Sequence, residues 1–319
     1  MLRAFRTEAG RLMQIAPDDD LATAIWIDLF RPTEAEVAAM LPFGIAVPSL
    51  TEMEEIEISN RLYREDGADY LTVVLPGQSD TATPIAGPVT FILRPGLLVT
   101  VRHHSPRPFE TFPPRADKGT PGCASADHLF LGLLEEIVGR LADILEGVGR
   151  GLDAVTRDVF SEASQQDNAI LQRALVQTGL QGETMSRVRL GLLSLERAIG
   201  YFSQSLAARH EGDGLRSIVT ALNRDITALE VHVDFLSGRL SLAVDATLGM
   251  INLAQNVTVR IVSVVAVLFL PPTLIASLYG MNFKDMPELS WAYGYPYALT
   301  AMVVSAIGTY LIFKWRKWL

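Results

Sequence analysis

Asn252 and Asn256 stand four residues apart, Ser263 follows seven later, and Leu270 and Thr273 continue roughly the same helical face. Amides and hydroxyls at that spacing set neutral oxygen acceptors one above another along one side of a helix. If the protein conducts anything, such a row is a candidate lining of the path. One Ser or Thr alone would mean little, because a hydroxyl inside a helix commonly donates back to its own chain. Asn252, Asn256, Asn282 and Asp245 together are more specific. Other reactive groups are sparse. The run from Thr51 to Glu57 is the densest acidic stretch, and Glu52, Glu54 and Glu55 are carboxylates that could meet a divalent ion. Adjacent side chains mostly diverge, so a solvated face or a salt-bridged subunit contact accounts for the run better. His103 and His104 point apart on a strand, and no third ligand stands at metal-site spacing. The five histidines are scattered and Cys123 sits in loop-like sequence, so no nucleophilic triad or Cys-His pair can be assembled. A single cysteine also excludes an intramolecular disulfide framework and a thiolate metal cluster. No glycine-rich phosphate loop follows a strand. The expectation is a protein that is not an enzyme and carries no organic cofactor.

What must position the polar row is a helix long enough to cross a bilayer. Two charge-free stretches, Ile261 to Phe283 and Leu289 to Phe313, hold 23 and 25 residues. Each exceeds the ~20 residues that span hydrocarbon as a helix. A single hairpin cannot close a β-barrel, so two membrane helices joined by a short polar turn are expected. Arg260 precedes the first stretch, and Lys314, Arg316 and Lys317 follow the second. The positive-inside rule then places both termini in the cytoplasm and the connecting turn outside. Trp291, Tyr293, Tyr295 and Tyr297 at one end, and Trp315 and Trp318 at the other, suit interfacial belts. A hairpin buried in a large soluble protein would leave that basic, tryptophan-bearing end without a reason.

Net charge is −9 over 319 residues. Up to Arg260 there are 23 Lys+Arg against 34 Asp+Glu, while the remainder carries 4 against 2. An acidic soluble portion argues against nucleic acid as a partner, since that binding is driven by basic surface. It would gather cations weakly, or serve only solubility. No cleavable signal is read in MLRAFRTEAGRLM.

In chain order, Ala24 to Leu29 reads as a strand, and Thr33 with Glu36 as a capping box for a helix to about Leu41. Ile56 to Arg64 and Tyr70 to Leu75 alternate around Glu65-Asp66-Gly67, a hairpin signal. Val89 to Leu93 and Leu97 to Arg102 repeat it around Arg94-Pro95-Gly96. Prolines from Pro106 to Pro121 close this α/β domain. From Ala126 the chain turns helical: Leu129, Leu133, Leu134, Ile137, Leu141 and Leu145 form one stripe, continued by Leu171, Leu175, Leu190, Leu193 and Leu206. Gly147, Gly149, Gly151, Gly179 and Gly182 allow breaks, and Glu211 to Gly214 is a turn. Beyond it Leu222, Ile226, Leu229, Val233, Leu236, Leu240 and Ala243 alternate steps of four and three, the seam of a packed helix. No proline interrupts Leu215 to Leu270, so one helix can run from this stalk into the first span. Counted from Gly214, its 66 residues to Tyr279 would extend ~99 Å at 1.5 Å each. A stalk of that length suits transmission of a cytosolic change to the membrane. The expected organisation is an α/β domain over 1–125, a helical bundle over 126–214, the stalk over 215–260, and a first span with its sequel over 261–283. An external loop (284–290), a second span (291–313) and a basic tail (314–319) complete it.

At the end of the first span stands Tyr279-Gly280-Met281-Asn282-Phe283, followed by Met286-Pro287-Glu288-Leu289 and by Trp291, Gly294, Tyr295 and Pro296. Upstream lie Gly249 to Asn256 and Phe269-Leu270-Pro271-Pro272-Thr273; the chain closes on Phe313 to Leu319. In these residues the sequence resembles the CorA-type divalent-cation channels, whose Gly-Met-Asn signature sits between two spans. Specific similarity covers about Asp245 to Leu319, and the upstream part is similar in layout.

The resemblance implies a funnel-shaped homopentamer in the bacterial inner membrane, with five first spans lining a pore and five second spans around them. It implies transport of Mg²⁺, with Co²⁺ or Ni²⁺ able to share the route. Gly280, Met281 and Asn282 would form the selectivity loop, Asn282 meeting the ion through its water. Asn256 and Thr273 match polar pore positions, Leu270 a hydrophobic constriction, and Asp245 an acidic position near the cytosolic mouth. In relatives, cytosolic Mg²⁺ bound between subunits holds the channel closed; here Glu52, Glu54, Glu55 and Asp225 are candidates on charge only. A zinc transporter of the same superfamily is the rival within this class, though Met281 and Met286 to Leu289 depart from its loop. A membrane-tethered sensor or scaffold without a pore is the rival from another class.

Overall fold

The computed structural model describes residues 1–16, 20–79, 81–161, 167–209, 213–281 and 286–316. The chain divides into two compact units. One comprises Met1–Arg157 with Arg173–Val244, the other Asp158–Gln172 with Asp245–Leu319.

The first unit is built on a seven-stranded sheet in the order β2-β1-β3-β7-β6-β5-β4. Its strands are β1 (Leu2–Glu8), β2 (Arg11–Gln14), β3 (Trp26–Phe30), β4 (Leu62–Glu65), β5 (Ala68–Gln78), β6 (Pro84–Arg94) and β7 (Leu97–Arg102). All neighbours run antiparallel except β3 and β7, where Asp28 sits opposite Thr100. The expected hairpin at Glu65 to Ala68 is present, with Asp66 at φ 46° and Gly67 at φ 77°, as a two-residue turn of matching twist requires. Its first arm is shorter than read. Ile58–Arg61 coils into the short helix α3, and only Leu62–Glu65 pairs. The Thr33–Glu36 capping box is formed, opening helix α1 (Glu34–Ala38).

Strand alternation divides the core. Leu71, Val73, Leu75, Val89, Phe91, Leu93, Leu98, Trp26 and Phe5 face one side and merge with the apolar faces of three long helices. Ile27, Leu29, Tyr70, Ile92, Val99 and Val101 face the other and pack against Met40, Ile45 and Met53. The short helices α2 (Leu50–Glu54) and α4 (Pro108–Thr111) flank the sheet. The long ones are α5 (Ala126–Val159), α6 (Asn168–Arg209) and α7 (Asp213–Tyr279).

The glycines that allowed breaks cause none, since α5 and α6 run through all of them. They admit neighbours instead. A Cβ on Gly151 would lie 2.7 Å from the Gln181 amide, and one on Gly182 would lie 3.5 Å from Leu240. The leucine stripe holds on α5, where Leu129 to Leu145 are buried, but shifts phase on α6. Leu190 and Leu193 are exposed there, and Val188, Leu192, Leu195, Ile199, Phe202 and Leu206 are buried at helical spacing. On α7 the seam Leu222, Ile226, Val233, Leu236 and Ala243 is buried, with Leu229 and Leu240 packed against it.

His104 lies two residues beyond β7 with its Nε2 2.9 Å from the Leu75 carbonyl, and burial holds its pKa below the ordinary histidine value. The ring occupies space that Gly77 and Gly87 leave open. A Cβ on Gly77 would stand 2.6 Å from His104 Cδ2 and 2.9 Å from both Pro106 N and Ser105 C. Backbone atoms cannot rotate aside as a side chain can. Gly77→Ala is therefore expected to cost about 1–3 kcal/mol, the usual range for overpacking. A thermal unfolding midpoint unchanged from wild type would show that the 104–106 segment moves freely.

Candidate functional site

The polar row lies on α7, and what fixes its direction is the buried seam. Seam residues 229, 233, 236, 240 and 243 are each followed two positions later by Val231, Phe235, Gly238, Leu242 and Asp245. Two residues turn a helix by ~200°, so the second set lies on the opposite face. Steps of four and three then continue from Asp245 through Gly249, Asn252, Asn256, Val259, Ser263, Ala266 and Leu270 to Thr273. Every residue of this second set is exposed in the chain, Leu270 at 67% and Leu242 at 69%. Up to Thr247 helix α7 thus buries one face in its own chain and presents the other; beyond it most sides are exposed, Val257 and Val262 among them.

The presented face has a clear chemical order. Val231, Phe235 and Leu242 make an apolar stretch, Asp245 supplies one carboxylate, and Asn252 and Asn256 supply amides. Ser263 Oγ donates to the Val259 carbonyl at 2.8 Å and Thr273 Oγ1 to the Phe269 carbonyl at 2.7 Å. Each hydroxyl proton is thereby used within the helix, and its oxygen faces outward as an acceptor. The helix passes through Pro271 and Pro272, which have no N–H to offer the carbonyls four residues before them. It ends at Tyr279, where the Gly280 N–H donates to Ala276 at 2.9 Å and the Met281 N–H to Leu278 at 3.4 Å. Asn282 lies outside the described residues, as do Phe283 to Asp285.

The second apolar helix, α8 (Gly294–Trp315), begins beside an aromatic group. The Trp291 ring lies 6.0 Å from Tyr293 and 5.9 Å from Tyr297. At its other end Arg316 stands 5.7 Å from the exposed Trp315 ring; Lys317 and Trp318 are outside the described residues. Helices α7 and α8 are both long and apolar enough to cross a membrane. Their apolar side chains are uncovered, Val262 at 62% and Val304 at 61% among them, unlike the core helix of a soluble protein.

Of the acidic candidates, Glu52 and Glu55 line one pocket with Asn60 and Tyr63. Glu52 is the N3 residue of a capping box on α2 and accepts from Ser49 N at 2.7 Å and Ser49 Oγ at 2.8 Å. Those bonds hold its carboxyl below the usual range. Glu55 accepts a hydrogen bond from Asn60, and Asp225 lies exposed on α7. Glu54 ends α2. Among the described residues no three His, Cys, Asp or Glu side chains converge to hold a bare metal ion. Sequence reasoning did not single out Val231, Phe235 and Leu242 as an extension of the row. The signal was present, because the steps of four and three run backward from Asp245 without a slip.

A family model described as CorA-like Mg²⁺ transporter protein matches residues 22–315. The chain belongs to that family. It is 35% identical over 324 residues to the magnesium transport protein CorA of Yersinia pseudotuberculosis, and equally to that of Escherichia coli, covering all of each chain. The Haemophilus influenzae protein of the same name is 34% identical over the full length of both. Among solved structures, the CorA magnesium transporter of Methanocaldococcus jannaschii superposes with a TM-score of 0.71 at 17% identity, covering 100% of this chain and 99% of that one. The full-length CmaX protein gives 0.66 at 16%, covering 100% and 98%. These share the fold: an α/β and helical portion followed by two long apolar helices. The family is one of transporters, not enzymes, in keeping with the lack of a catalytic set in the sequence.

Proposed function

We propose that the protein carries Mg²⁺ across a bacterial inner membrane through a pore shared by five copies of the chain. The observation that carries this reading is the exposed face of α7, opposite its buried seam. One membrane hairpin cannot enclose an aqueous path, so copies must surround it, and the face from Asp245 to Thr273 is the one that gathers Asp245, Asn252, Asn256, Ser263 and Thr273. Both termini lie in the cytoplasm, on the charge pattern around the spans. Asn282 receives the hydrated ion at the outer mouth. Mg²⁺ gives up its water reluctantly, and a ring of amide oxygens accepts hydrogen bonds from the first-shell waters without stripping them. A neutral ring also releases the ion, as conduction requires. Leu270 forms an apolar constriction further in. Co²⁺ and Ni²⁺, hydrated octahedral dications of similar size, follow the same route. Cytosolic Mg²⁺ closes the pore.

Asn282→Ala in the full-length protein tests this reading. Mg²⁺ uptake into proteoliposomes is expected to fall to background, because one substitution changes every subunit. The solubilised variant should keep the wild-type mass, about five times 34.9 kDa. Normal flux would place selection elsewhere, and a stable monomer or dimer in the wild type would remove the pore.

A further inference from the structure

A groove of about 730 Å³ opens in the first unit between the segment Arg107 to Thr120 and helix α5. Its volume suits a small-molecule ligand. Four cations line it, Arg107, Arg115, Lys118 and Arg140. They are collected against the balance of a strongly acidic portion, and Lys118 is the only lysine before Lys284. Arg107 and Lys118 are exposed and form no ion pair with the described residues. The other two are loosely engaged: Arg115 lies 3.7 Å from Glu136 and Arg140 lies 3.9 Å from Asp143. Glu136 already accepts from Thr111 Oγ1 at 2.6 Å.

Negative charge is crowded on the α5 wall, which Arg140 shares. Glu135 stands there with Glu136 and Asp143, and Asp225 of α7 is close enough to act on Glu135. The Glu135 carboxyl is pushed above the usual range, first by burial and then by Asp225 and Glu136. A free polyanion entering the groove would meet this wall, and a bare dication would meet the four cations. Since the described residues hold no set of three metal ligands, the protein alone does not complete a cation site there.

We propose that this groove binds a polyphosphate chelated to a divalent cation, such as a nucleoside triphosphate with Mg²⁺. The phosphates lie on Arg107, Arg115, Lys118 and Arg140, where guanidinium forks match phosphate oxygens. The cation lies toward Glu135, in the arrangement Mg²⁺ favours with one or two carboxylates plus ligand phosphates. This site goes beyond the transport reading and stands whether or not the chain conducts.

Calorimetry on the full-length protein in detergent tests it. ATP is titrated at fixed free Mg²⁺, then without divalent cation, and tripolyphosphate is titrated at the same free Mg²⁺. Saturable binding of ATP with Mg²⁺ is expected, weaker without it. The double variant Arg107→Gln/Lys118→Gln should bind roughly a hundredfold or more weakly, since two charge-assisted hydrogen bonds to phosphate are lost. Its unfolding midpoint should be unchanged, as both side chains are exposed. Glu135→Gln should weaken binding of the chelate and strengthen binding of metal-free ATP. Tripolyphosphate matching ATP would mean that only phosphates are read, and weaker binding would mean that the nucleoside contributes; both support the site. No saturable binding at millimolar concentrations, unchanged affinity in the double variant, or equal affinity without Mg²⁺ would each overturn it.

Discussion

Asp28→Ala is expected to destabilise the soluble portion by about 3–5 kcal/mol, the range seen when one partner of a buried ion pair is removed. Asp28 is fully buried in β3. Its Oδ1 accepts from Thr100 Oγ1 at 2.9 Å and Arg102 Nε at 3.0 Å. Its Oδ2 accepts from Arg3 Nη2 at 2.7 Å, Arg3 Nε at 3.2 Å and Arg102 Nη2 at 3.0 Å. Arg102 is itself 4% exposed, its guanidinium 4.5 Å from the Phe30 ring and 4.9 Å from Phe109. Alanine would leave that cation inside apolar and aromatic surroundings with no counter-charge. The pair as a whole need not be a large source of stability, because desolvation offsets much of its attraction. The cost lies in breaking it. Asp28→Ala combined with Arg102→Met should therefore unfold at a higher midpoint than Asp28→Ala alone. A single variant with a wild-type midpoint, measured by thermal unfolding in detergent, would show that Arg102 finds water or another partner.

That cluster marks where sequence reading stops. Asp28 falls inside the expected strand AIWIDL, yet its partners lie 25 and 74 residues away and only the sheet order brings them together. Turns were legible where their chemistry is local. Asp66-Gly67 announces a hairpin; Ala9-Gly10 makes an equivalent one between β1 and β2 but puts an alanine at φ 48°, which no propensity suggests. The phase of α6 was lost because leucines were followed in place of the helical period. The row on α7 was legible because polar residues are conspicuous among apolar ones. Its extension at Val231, Phe235 and Leu242 was not, since an exposed apolar stripe and a core stripe have the same pattern. Only packing tells them apart: the seam is buried and the stripe two residues on is not.

Flux through the assembled protein is expected to fall as Mg²⁺ rises on the cytosolic side alone, by roughly 5–150-fold, the span of ordinary coupling energies. The portion up to Arg260 carries 34 acidic side chains, and like charges facing one another between subunits repel. In the proposed assembly, Mg²⁺ arriving at such contacts would relieve the repulsion and favour a compact arrangement of copies. Helix α7 carries both the seam that fixes it to its own domain and the face that ends at Thr273, with no proline between Leu215 and Leu270. In the proposed assembly, a change in how neighbouring copies meet would therefore reach Leu270 without crossing a flexible linker. Closing an apolar ring expels water, and a ring of amides in its place stays wet. Leu270→Asn should consequently conduct at high cytosolic Mg²⁺ and lose most of the dependence. Linkage sets the sign of the companion measurement: the ion that closes the pore binds the closed form more tightly. The decisive recording uses proteoliposomes at fixed voltage and fixed external ion, varying only the Mg²⁺ that faces the soluble domains. Flux per unit driving force that stays level from micromolar to tens of millimolar would remove cytosolic sensing and leave the Asn282 prediction untouched. Level flux in wild type with raised flux in Leu270→Asn would keep the constriction and assign its control to voltage or to the outer loop.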